Sequence, residues 1–192
     1  PYTTLLRSVR RLILPAQTVE LSRDGHWLAT MYHNDATVIR TASDGEAKLV
    51  LAENSLVRFS PDNQWMAVVN RETVEIRQLP SLQPVCTAIA LAAGSGITPP
   101  LQFSRDGRLF AVAFNRTQVR LHETPTGRVV ATLSPPNPAQ IIGSHSLAFS
   151  PDGQWLLAAK DDGETIAWDF PLIRCELDKL GLDWTDREPP ER

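Results

Sequence analysis

One eight-residue phrase occurs four times in this chain, and no other feature constrains the fold as strongly. The copies are Leu21-Ser-Arg-Asp-Gly-His-Trp-Leu28, Phe59-Ser-Pro-Asp-Asn-Gln-Trp-Met66, Phe103-Ser-Arg-Asp-Gly-Arg-Leu-Phe110 and Phe149-Ser-Pro-Asp-Gly-Gln-Trp-Leu156. Their aspartates, Asp24, Asp62, Asp106 and Asp152, are separated by 38, 44 and 46 residues. A period in that range implies a repeat architecture, in which each unit buries a face against its neighbour. Asp-Gly or Asp-Asn supplies the positive-φ positions of a tight hairpin turn. An apolar residue precedes each turn, and a large one follows it: Trp27, Trp65, Leu109 and Trp155. Two strands with bulky residues on one side form an antiparallel hairpin with one buried face. Because they recur at the repeat period, the three tryptophans and Leu109 read as core and not as ligand-binding aromatics.

A third alternating segment follows each hairpin: 36–41, 73–78, 118–123 and 164–169. Period-two alternation rich in β-branched residues predicts strand. Three units add a fourth segment, at 47–51, 84–90 and 128–132, after turn signals such as Ser43-Asp-Gly45 and Thr124-Pro-Thr-Gly127. Four strands per unit, up and down, make the blade of a β-propeller. The predicted division is 15–52, 53–92, 93–133 and 134–169, the last with three strands. Residues 1–14 are expected to supply strands of a preceding or closing blade, and 170–192 a helical tail. In that tail Leu172 or Ile173, Leu177 and Leu180 share one helical face, with Pro171 at the start and Gly181 at the stop.

The chain has 192 residues and a net charge of −3. That length supports a substantial core. A near-balanced charge argues against a nucleic-acid or anionic-membrane binder. No apolar run is long enough to cross a bilayer, and the first residues do not form a signal peptide. The expected location is cytoplasmic, or a soluble domain of a membrane-linked protein. The absence of an initiating Met points to processing or to a piece of a longer chain. Cys86 and Cys175 form neither a disulfide framework nor a metal-ligand spacing.

The Phe-Ser-Pro-Asp-Gly turn, with Trp168-Asp169 ending a third strand, resembles the WD40 repeat family over about residues 18–169. The family's structural aspartate, before the third strand, is matched by Asp35 and Asp162. Arg71 and Arg116 occupy that position in the two middle units. Only Trp168-Asp169 matches the name-giving dipeptide, and no Gly-His pair opens a unit. The resemblance therefore implies a propeller in which the family's hydrogen-bond tetrad is partial and apolar packing carries more of the load. The segment from Leu172 to Trp184 resembles the tail closing the WD40 regions of bacterial multidomain Ser/Thr kinases of planctomycete type. That likeness implies the C-terminal docking or sensor part of a larger signalling protein.

No catalytic constellation emerges from the sequence. Gly94-Ser-Gly96 lacks the Lys-Ser/Thr of a phosphate loop, and kinase signatures are missing. His26, His33, His122 and His145 are scattered without metal-ligand spacing and read as solvated turn or strand-edge residues. The repeat aspartates are turn-formers. No cofactor or metal is expected, and the segment reads as noncatalytic.

Binding remains, at the rim formed by the turns between second and third strands and by the interblade loops. The candidate partner-binding residues are Tyr32, His33, Arg71, Arg116 and Lys160, with Ile97, Pro99, Pro100, Ile141 and Ile142 added by the loops. Arginines at equivalent places in neighbouring blades could dock an acidic peptide or phosphate, but two solvated turn arginines are the favoured reading of the pair. The leading function is a protein-interaction scaffold. The alternatives are a self-assembling unit pairing through open blade edges, and an enzyme with a site in the central channel. For the latter the first strands offer only Glu20 and Arg58 as charges.

Overall fold

The computed structural model describes residues 14, 16–31, 35–53, 55–70, 72–90, 98–135, 141 and 146–181. The expected strands within 1–14 lie outside the described residues, except for residue 14. Among the described residues fifteen strands and one helix follow in order. The first sheet holds β1 (Thr18–Leu21), β2 (Trp27–Met31), β3 (Ala36–Thr41) and β4 (Ala47–Glu53). The second holds β5 (Leu56–Phe59), β6 (Trp65–Val69), β7 (Thr73–Gln78) and β8 (Gln83–Ala90). The third holds β9 (Leu101–Phe103), β10 (Leu109–Ala113), β11 (Val119–Glu123) and β12 (Val129–Leu133). The fourth has three strands, β13 (Leu147–Phe149), β14 (Trp155–Ala159) and β15 (Thr165–Asp169), and runs directly into α1 (Phe170–Lys179).

Every sheet is antiparallel, with its strands in sequence order. The same register recurs: Leu21 opposes Leu28, Phe59 opposes Met66, Phe103 opposes Phe110 and Phe149 opposes Leu156. The first strands lie side by side, β1 against β5, β5 against β9 and β9 against β13. The sheets therefore radiate from a line of inner strands, which is the arrangement of propeller blades.

Successive residues of a strand point to opposite faces, so each interior blade feeds two cores. On β10, Phe110 and Val112 enter the core shared with blades 1 and 2, while Ala111 and Ala113 enter the core shared with blade 4. The pattern is large-against-small. Blades 2 to 4 turn Met66, Phe110 and Leu156 towards the blade before, and blades 1 to 3 turn an alanine (Ala29, Ala67, Ala111) towards the blade after. Burying a side chain such as Phe110 stabilises the fold by about 1.5–3 kcal/mol, and Phe110 is fully buried.

The helix follows from its local chemistry. Asp169 caps it by accepting from the Leu172 amide at 3.0 Å, Pro171 lies in the first turn, and Gly181 follows at φ +68°. The predicted apolar face is only partly used. Phe170 is buried and Ile173 packs on the core between blades 3 and 4, whereas Leu172 and Leu180 are exposed. The helix docks through its first turn, so the face lies nearer Phe170 than the spacing implied.

Candidate functional site

The repeated phrase builds one end of the array. In each copy the serine hydroxyl donates to the aspartate two residues on, at 2.5–2.7 Å: Ser22 to Asp24, Ser60 to Asp62, Ser104 to Asp106 and Ser150 to Asp152. The same serine oxygen accepts from the amide of Trp27, Trp65, Leu109 or Trp155 at 2.8–3.0 Å. The aspartate then accepts the amide two residues further on, at 3.0–3.1 Å. The Ser22 hydroxyl, with the His26 amide behind it, holds the Asp24 carboxyl below the usual carboxylate range. Ser150 and the Gln154 amide do the same for Asp152. The aspartates form the turns, as the spacing implies. The serine was the missed partner, and its signal was present, since it stands in all four copies.

These turns also touch their neighbours. The Asp24 amide donates to Asn63 Oδ1 at 3.1 Å, a Cβ at Gly107 would overlap the Asp62 carboxylate, and Arg105 donates to the Pro151 carbonyl at 2.9 Å. The turns of blades 1 to 4 thus form a continuous chain of contacts. Between the turns of blades 3 and 4 and α1 lies a cleft of about 530 Å³, lined in part by Arg105, Asp106, Phe149, Asp152, Phe170 and Arg174.

The opposite end carries the expected binding rim. Each described turn there is closed by an Asn or Asp side chain accepting backbone amides: Asn70 from Glu72 and Thr73, Asn115 from Thr117, Asp162 from Glu164, and Asp35 from Ala36. Arg116 is exposed. Its carbonyl accepts the Ile141 amide at 2.7 Å, and Ile141 bridges to Lys160, so this segment links the rims of blades 3 and 4. The Lys160 side chain is 1% exposed, and its ammonium bonds Asp162 at 2.8 Å and Glu164 at 2.7 Å. Those two carboxylates raise the Lys160 pKa, and the Lys160 ammonium, with the Glu164 amide, keeps Asp162 low. Lys160 is thus a turn-holding residue. Tyr32, His33, Arg71, Ile97 and Ile142 lie outside the described residues. Pro99, Pro100 and Ile141 are buried.

Three further expectations are revised. Trp27 is buried and Trp65 half-buried, but Trp155 is 38% exposed, because no blade follows the fourth among the described residues. His122 is not solvated: it is fully buried, stacks on Phe110 with ring centroids 5.0 Å apart, and its Nδ1 bonds the Gly127 carbonyl at 2.8 Å. Burial lowers its pKa, with nearby Arg120 adding to the effect. Glu20 and Arg58, the charges of the first strands, pair at 3.1 Å across the joint of blades 1 and 2, and the Arg58 side chain is buried. Trp168 packs on the core between blades 3 and 4, and the adjacent Asp169 caps the helix. Among the described residues no cluster of three or more His, Cys, Asp or Glu side chains is arranged to hold a metal ion, and no helix is long and apolar enough to cross a membrane.

The family description "WD domain, G-beta repeat" matches residues 125–169. That stretch takes β12 from the third sheet and β13 to β15 from the fourth, so one sequence unit ties two blades together. A search of curated proteins found no match. Among solved structures, the chain is similar to KlHsv2 with loop 6CD replaced by a Gly-Ser linker, with a TM-score of 0.66 and 16% identity over 84% of this chain and 53% of that one. It is similarly close to Kluyvelomyces marxianus Hsv2, with a TM-score of 0.65 and 15% identity over 84% of this chain and 49% of that one. The chain spans about half the length of these propellers. Its fold is that of a WD40-like β-propeller array, and its last unit carries the matching WD repeat.

Proposed function

We propose that the chain is a noncatalytic protein-docking module whose rim of turns between second and third strands, the end bearing Arg116, receives an acidic peptide. WD40 propellers typically serve as protein-interaction modules. The observation that carries the reading is the exposure of Arg116 on this rim, with Arg71 at the equivalent sequence position one blade earlier. The repeat serines and aspartates, the Glu20–Arg58 pair and the Lys160 cluster hold turns or join blades. A guanidinium suits carboxylate or phosphate through paired donors. The likeness of the Leu172–Trp184 segment to the tails of bacterial Ser/Thr kinases supports a setting in a larger signalling protein.

The test is fluorescence anisotropy with a labelled Glu-rich peptide and its phosphoserine counterpart, titrated with the wild-type chain and with Arg71→Ala/Arg116→Ala. The reading expects binding that weakens at least tenfold in the double variant and falls with salt. Equal affinity of the two proteins would remove the arginines from the site.

A further inference from the structure

The joint between blades 3 and 4 is built differently from the two before it. In each phrase the large residue after the turn shares a strand face with the alanine two residues on, so it points towards the next blade. Trp27 is 6% exposed and Trp65 packs on the same core, so an indole fills the turn end of each of those joints. The third copy has Leu109 at this position, and it is half-buried. An isobutyl group thus stands where an indole would, at a joint with a described blade on both sides. The cleft of about 530 Å³ lies at that place, with Leu109, Leu121, Phe149 and Phe170 among its walls. The exposed Arg105 and Arg174 also line it.

The cleft continues along the helix. A second hollow of about 480 Å³ shares Gly153, Phe170 and Arg174 with it and extends past Cys175 to Asp178. Together they form a groove beside α1 that leads from the later turns of the helix to the joint of blades 3 and 4. The chain leaves the helix at Gly181, where φ is +68° and the amide bonds the Asp178 carbonyl at 2.9 Å. A left-handed residue there ends a helix and turns the chain. Leu182-Asp183-Trp184 comes next, and residues 182–192 lie outside the described residues. From Gly181 back to Phe170 is about 16 Å of helix. Three extended residues cover about 10 Å of it, which leaves about 6 Å for the Trp184 side chain. A buried indole needs an acceptor for its N–H, and the Asp106 and Asp152 carboxylates stand in the cleft wall. Asp183 is opposite in charge to Arg174.

We propose that the cleft receives Trp184 of the same chain, with Leu182-Asp183-Trp184 lying back along α1 and Asp183 beside Arg174. The indole takes the place that Trp27 and Trp65 fill in the other joints. The sequence pairs the two features: the phrase gives up its tryptophan in the copy whose joint α1 adjoins, and the segment after α1 carries one. The segment then acts as a latch that holds blade 4 to blade 3. It lies at the end opposite Arg116 and stands whether or not that rim binds peptide.

The test uses the full chain and its variants Trp184→Phe, Trp184→Ala and Leu109→Trp, with circular dichroism to check each fold. Subtracting the fluorescence of Trp184→Phe from that of wild type isolates the Trp184 emission. The expected emission is blue-shifted and shielded from iodide at every protein concentration. Trp184→Ala is expected to lower the urea midpoint. In Leu109→Trp, where blade 3 supplies the indole itself, the same change should lower it far less. If Leu109→Trp does not fold, the quenching measurement decides alone, since it leaves the core untouched. A Trp184 quenched as freely as in the urea-unfolded chain would overturn the proposal and leave the cleft to another protein. Shielding that fades on dilution would overturn it in favour of the tail of a second copy. A Trp184→Ala penalty undiminished in a folded Leu109→Trp would place the tryptophan elsewhere.

Discussion

Substituting Gly107 by Ala probes the joint between blades 2 and 3 with an internal control. Gly25, Gly107 and Gly153 occupy the same place in three copies of the phrase, at φ +73°, +70° and +72°. An L residue in that region costs about 1–2 kcal/mol wherever it stands. A Cβ at Gly25 or Gly153 meets nothing within 4 Å, whereas at Gly107 it overlaps the Asp62 carboxylate of the neighbouring blade. That carboxylate cannot simply swing away, because Ser60 Oγ and the Gln64 amide hold it at 2.5 and 3.0 Å. Forcing it aside adds roughly 1–3 kcal/mol of overpacking. Gly107→Ala is therefore expected to cost about 2–5 kcal/mol and Gly153→Ala about 1–2 kcal/mol. For a chain of this size each kcal/mol lowers Tm by about 2–4 °C. Urea midpoints and Tm of both variants give the difference directly. Adding Asp62→Ala removes the overlap, so the Gly107→Ala penalty should shrink in that background. If Gly107→Ala and Gly153→Ala destabilise equally, the turns of blades 2 and 3 do not meet as described.

Two other outcomes follow from the same geometry. Ser60→Ala removes a fully buried hydroxyl that joins Asp62 to the Trp65 amide. Its cost is about 1–3 kcal/mol, and Ser150→Ala, at the less buried copy, should cost less in the same urea titration. Burial depresses the His122 pKa below the ordinary value of about 6.5, so the unfolded chain takes up the proton first as pH falls. The stability due to neutral His122 is complete above that value and is lost as pH drops from about 6.5 towards the folded pKa. The midpoint should fall between pH 7 and pH 5, less so in His122→Phe, which keeps the stack on Phe110. An equal fall in both proteins would exclude His122 as the cause.

Much of the fold is written locally. The Ser-x-Asp-Gly turn closes on its own atoms within a few residues. The alternation of segments such as 36–41 and 73–78 coincides with β3 and β7, because a strand needs only a neighbour on each side to define its two faces. Asp169 and Pro171 similarly announce the helix start, since capping is satisfied within one turn. The candidate site was less legible: the rim position of Arg116 follows from the strand order, but the use of Lys160 does not.

What a side chain meets on the far side of its sheet is decided only when the blades stack. Trp27 and Trp155 stand in nearly the same phrase, yet one is core and the other exposed, because blade 2 covers the first and no described blade covers the second. His122 alternates like any strand residue, yet blade 2 packs over its row and strips it of water. Lys160 reads as a rim cation, but the segment at Ile141 crosses beside it and leaves its charge to Asp162 and Glu164. The sequence by itself determined the unit, its turns and its two-faced strands, because hydrogen bonds and side-chain alternation act over a few residues. The tertiary structure decided which faces are covered and which charges stay exposed, because burial depends on neighbours some 40 residues away along the chain.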